Sequence, residues 1–218
     1  MNTKNLWKMI TALEIIAAAV VIILDLFIPT IVILGMIVIS LLVRRENIAS
    51  LGFKKNANWL RMAGMVLLGV MALQLFQIGV TMPILNRLTG MTIDYSGFAD
   101  LKGNLGQLTL FLVASWTLAA FGEEVVYRGY LQKRLGDLFG ANTIGLILTV
   151  GISSLLFGIA HTEQGIIGVV VTTLDALFFS WLKLKHENNL WAAILAHGFS
   201  NSIGLIIFYF TGPIYGLW

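Results

Sequence analysis

The chain has 218 residues, of which 58% are hydrophobic and 11% charged, against about 25% charged in a soluble domain. A water-surrounded fold of this size cannot hide that much apolar side chain, so the composition excludes a soluble globular protein. The lack of cysteine excludes disulfides, thiolate metal sites and a cysteine nucleophile, and the net charge of +3 is placed so that it reports topology rather than nucleic-acid binding.

In chain order, the first apolar run covers residues 7–29. Glu14 interrupts it and further runs follow, so it does not read as a cleaved signal peptide. Pro29 breaks the chain before a shorter run at 31–43, making the first two runs a helical hairpin. A third run occupies 60–82. The Gly-, Asn- and Asp-containing connection at 83–106 reads as loop with an interfacial helix. Four more runs follow at 107–131, 142–161, 165–182 and 190–210. A spanning helix needs roughly 20 apolar residues, which gives about seven spans within a range of six to eight. The expected fold is all-α, a polytopic transmembrane helical bundle forming one integral domain. Residues 1–106 supply N-terminal helices and the polar connection, 107–210 the core helices, and 211–218 a tail.

Threading seven spans from a cytoplasmic N-terminus puts Lys4, Lys8, Arg44, Arg45, Lys54, Lys55, Arg61, Lys133, Arg134, Lys183 and Lys185 inside. Arg87 and Lys102 fall outside, and Arg128 stays in the membrane. This asymmetry follows the positive-inside rule for a multi-pass protein.

Ionisable residues inside spans are costly and mark functional candidates. Glu14 and Asp25 read as structural or interfacial. Asp175 either bonds a neighbouring helix or borders a cavity. The segment EEVVYR is more informative. Glu124 and Arg128 are four apart with the acid first, the favourable order for a helical ion pair. Glu123 lies about 100° round the helix, on the face of Tyr127, and is left for another partner. FGIAH places Phe157 and His161 four apart, and HGFSN does the same for His197 and Asn201. His186 reads as a solvated loop residue. A zincin helix fails because Leu190 stands where its second histidine belongs, and no nucleophile elbow or glycine-rich phosphate loop occurs.

The order EEVVYR, FGIAH, HGFSN over about residues 107–210 resembles the CPBP family, the CAAX prenyl endopeptidases and bacteriocin-processing (Abi) proteins. The resemblance implies a glutamate-dependent intramembrane endopeptidase cleaving a membrane-associated peptide or protein. Glu123 would be the general base, with His161 orienting a water. His197 and Asn201 would stabilise the oxyanion, and Glu124 with Arg128 would support the site. No cofactor is expected; the alternative is zinc held by Glu123, His161 and His197. The expected partners are membrane lipid and the peptide substrate, with no nucleic acid, in a bacterial cell membrane. Counted along their spans, His161 lies deeper and His197 shallower than Glu123, so convergence requires tilted helices or shifted boundaries. The resulting cavity is expected to open towards the cytoplasm. The rival readings are an immunity or scaffold protein of the same fold acting by binding, and a transporter.

Overall fold

The computed structural model describes residues 3–213. They contain seven long helices and no strand: α1 (Thr3–Ile23), α2 (Pro29–Arg44), α3 (Trp59–Thr89), α4 (Leu105–Phe139), α5 (Thr143–Ile159), α6 (Gly165–Lys185) and α7 (Leu190–Thr211). Five of the helical segments are long and apolar enough to cross a membrane, while α2 and α5 are shorter apolar helices. This is the expected polytopic helical membrane bundle. Most of the expected tail, residues 214–218, lies outside the described residues.

Local chemistry sets the helix starts. Asn58, Asn104, Asn142 and Asn189 each turn a side-chain oxygen onto a backbone N–H of the first turn of α3, α4, α5 and α7, satisfying a donor the helix itself leaves unpaired. Pro29 begins α2, where its missing N–H costs nothing. The expected α1–α2 hairpin forms, with Asp25 and Phe27 in the left-handed region at φ 46° and 57°.

Two boundaries differ from expectation. α3 runs on through Pro83 to Thr89, because Gln77–Thr81 forms a wide π-helical turn that disturbs the carbonyl ladder just where proline would collide with it. The rest of the polar connection holds a short 3-10 turn at Ser96–Leu101. α4 continues past residue 131 to Phe139. At about 1.5 Å per residue it is about 52 Å long, well beyond a hydrocarbon core of about 30 Å.

The helices alternate in direction. At one end of the bundle Leu190 N–H donates to Gly52 O, and Lys54 bonds the Glu187 carbonyl. At the other end Asp94 N–H donates to Gln164 O, and Gly103 N–H to Tyr209 O. The first end is locked by an ionic cluster. Arg134, fully buried, faces Glu46 at 3.1 Å and Asp137 at 3.0 Å, and Glu14 pairs with Arg44 at 2.8 Å. Glu14 therefore has the structural role expected of it. Arg134 and Lys183, expected among the loop cations, are instead buried side chains.

Candidate active site

EEVVYR lies where α4 is not an α-helix. Residues Ser115–Glu123 and Val125–Leu131 form π-helical turns, a geometry found mostly as short bulges at functional sites. The expected ion pair survives this widening: Arg128 Nη1 donates to Glu124 Oε1 at 2.8 Å, with both side chains essentially fully buried. The same Oε1 also accepts from His197 Nδ1 at 2.9 Å. Glu124 thus serves two cations or donors, one on its own helix and one on α7. The second was not expected.

Three helices meet at Phe157. Its ring packs edge-on against Tyr127 at 5.0 Å and against His197 at 5.7 Å, and lies 4.7 Å from the ring of His161. The Arg128 guanidinium sits over its face at 4.4 Å, a favourable cation–π arrangement. Phe179 of α6 stacks on the other side of His197 at 5.4 Å.

The depth mismatch foreseen between the two histidines and Glu123 is resolved by where the helices begin. α7 starts inside the bundle. Leu190 is fully buried, and Gly129 of α4 lies against both Leu190 and Leu51. Counting from that contact, His197 is seven residues along α7 and Glu123 six residues back along antiparallel α4, so the two come level. His161 lies just past the end of α5, at the start of the Thr162–Gln164 turn rather than within the helix. Its Nδ1 is 2.8 Å from Phe157 O. A carbonyl only accepts, so Nδ1 carries the hydrogen and Nε2 faces outward, with a lone pair in the neutral ring.

Glu123, His161, His197 and Asn201 all line one cavity of about 600 Å³. Glu123 is within electrostatic reach of both histidines, and its Oε2 is buried with no hydrogen-bond partner. Asn201 lies one residue beyond Ser200, which accepts from Gln74 of α3 at 3.0 Å. Among the described residues no group of three or more His, Cys, Asp or Glu side chains is placed to hold a metal ion. The Nδ1 atoms of both histidines are already engaged.

The cavity wall includes residues that sequence reasoning left open or misplaced. Asp175 both bonds a neighbour and borders the cavity: it accepts from Gln77 of the α3 π-turn at 3.0 Å. Asp175, Phe179 and Lys183 form a stripe spaced by four residues on α6. Lys183, read as a loop cation, reaches the Arg128 carbonyl and Gln132 Oε1. That i, i+4, i+8 spacing of an acid, an aromatic and a base was a readable signal.

Small residues allow the approach. A Cβ on Gly158 of α5 would meet Thr173 Oγ1 of α6 at 1.9 Å, and one on Gly198 would meet the Trp116 ring at 2.4 Å. Both glycines let neighbours lie flat beside a histidine.

The lining places the cavity at one end of the bundle. The cavity is bounded by Asp25 of the α1–α2 turn, Tyr95 of the α3–α4 connection, Glu163 beyond α5 and Phe208 late in α7. These belong to the bundle end opposite the basic cluster. α4 and α5 carry their polar residues towards that end.

Five helices long and apolar enough to cross a membrane, packed with two shorter apolar helices around one polar-lined cavity, make this a polytopic helical membrane protein. Residues 105–203 match the family model "Type II CAAX prenyl endopeptidase Rce1-like"; the matched segment carries all three motifs, and over it the chain is similar to that family. No curated protein and no solved structure shows significant similarity to the chain.

Proposed function

We propose that the protein is an intramembrane endopeptidase of a bacterial cell membrane, with Glu123 as its general base and membrane-associated peptides or proteins as substrates. The observation that carries this reading is the gathering of Glu123, His161, His197 and Asn201 on one cavity, with Glu123 Oε2 buried and unpartnered. Glu124 has an unpartnered buried Oε2 as well, but Arg128 and His197 hold its Oε1 and its side chain, unlike that of Glu123, does not line the cavity.

Glu123 takes a proton from a water that is also held by the Nε2 lone pair of His161, and the water oxygen adds to the scissile carbonyl carbon. The carbonyl oxygen becomes an oxyanion, which His197 and Asn201 meet as hydrogen-bond donors in a low-dielectric site. Because His197 Nδ1–H points to Glu124, Nε2 donates only when the ring is an imidazolium, with Glu124 as counterion. Collapse breaks the C–N bond, and Glu123 passes its proton to the departing amine. The Asn201 amide has no protein partner among the described residues, which leaves it free for substrate. No metal enters these steps.

Glu123→Gln keeps the shape and removes the base. Its rate of peptide cleavage should fall by about 10²–10⁴-fold, the usual worth of general-base catalysis. The comparison uses purified wild type and variant of equal thermal stability, with products read by mass spectrometry. Equal cleavage by the two would exclude Glu123 as the base, and absence of cleavage by either would favour a binding role.

A further inference from the structure

The end of the bundle that holds the cavity and the end that holds the basic residues are opposite ends. Inter-loop hydrogen bonds define them: Gly52 with Leu190 at the first, Asp94 with Gln164 at the second. Eleven of the 14 Lys and Arg residues belong to the first end, and only Arg87 and Lys102 to the second. Arg44, Lys133 and Arg134 are tied into the ionic cluster, and Lys183 is buried. Setting those four aside still leaves seven basic residues against two. Topology follows the Lys and Arg content of short loops, with little weight for acids, so the first end is cytoplasmic.

That end is also plugged. Leu51, Leu131 and Leu190 are essentially fully buried there, as is Arg134. At the second end the cavity is bordered by Asp25, Glu163 and the aromatic rings of Tyr95, Phe98 and Phe208. Its lining holds carboxylates and histidines but no lysine or arginine.

We propose that the cavity opens to the extracytoplasmic side, so that its substrate is a polypeptide segment that has already left the cytoplasm, neutral or cationic rather than acidic. The word substrate rests on the peptidase reading; the orientation does not. Four carboxylates and no fixed cation in the lining disfavour an acidic segment on simple Coulomb grounds.

The chain has no cysteine, which makes single-cysteine labelling direct. Ser96→Cys and Thr162→Cys mark the second end and Ala57→Cys the first; all three positions are exposed. A membrane-impermeant maleimide is applied to intact and to permeabilised bacterial cells expressing the full chain. Ser96→Cys and Thr162→Cys should label equally in both, and Ala57→Cys only after permeabilisation. The reverse pattern, or labelling of all three in intact cells, would overturn the proposal. A C-terminal alkaline phosphatase fusion provides a readout independent of side-chain reactivity: it should be active, and an inactive, stably expressed fusion would count against the orientation. Neither readout depends on catalysis, so failure here leaves the Glu123→Gln test untouched, and the converse also holds.

Discussion

Glu124 illustrates how one buried oxygen can hold a site together. Its Oε1 accepts from Arg128 and from His197, while Arg128 Nε and Nη2 have no hydrogen-bond partner and rely on the rings of Phe157 and Phe179. Removing one member of a buried pair strands the other charge, at about 3–5 kcal/mol. Glu124→Ala should therefore lose about that much stability in detergent unfolding. The double variant Glu124→Leu/Arg128→Met, which strands no charge, should lose less. A smaller loss for Glu124→Ala than for the double variant would contradict the pairing. The Glu124–Arg128 bond was legible from i, i+4 spacing alone. The His197 bond was not, because residues 73 positions apart meet only through the packing of α7 on α4.

Among the elements, α5 and α6 cross most closely, and Gly158 is the point of contact. A methyl group there would run into Thr173 Oγ1 and the Val169 carbonyl at 1.9 and 2.7 Å. Overpacking of this kind costs about 1–3 kcal/mol. Gly158→Ala should lower the melting temperature accordingly and reduce activity further by displacing His161, three residues on. Gly151→Ala on the same helix meets nothing within 4 Å and should leave both unchanged. Helix number and order were readable from apolar runs, since a bilayer demands a continuous length of apolar side chain. The π-turns and the reach of α3 and α4 beyond their apolar runs were not. They depend on carbonyls and side chains that find partners on other helices.

For the whole molecule, the ionic cluster at the basic end links stability to acid. Burial raises the Glu46 carboxyl, but the hydrogen bond and charge of Arg134 and the charge of Lys133 outweigh it and hold Glu46 below the ordinary carboxylate range. A carboxylate lowered on folding contributes stability that is fully present above its unfolded value and lost as pH falls through the folded one. Thermal stability should therefore decline as pH falls from the ordinary carboxylate value down through the lowered folded one. Glu46→Gln should flatten that decline while lowering stability at neutral pH. An unchanged acid limb in this variant would remove Glu46 from the lock. The cavity lies at the far end, so Glu46→Gln should leave cleavage at neutral pH close to wild type in protein that remains folded.

Sequence alone determined the solvent and the helical class, and it singled out the three polar motifs whose residues line one cavity. Those properties follow from apolar run length and from polar residues too expensive to be incidental. It also separated Glu123 from Glu124, because helical spacing hands Arg128 to only one of them. Tertiary structure alone decided that Phe157 is the common neighbour, that Asp175 joins the cavity, and which end of the bundle the cavity occupies. These depend on where α7 begins relative to α4, and that is set by the buried contact of Leu190 with Gly129 and Leu51. No local pattern in the chain records that long-range register.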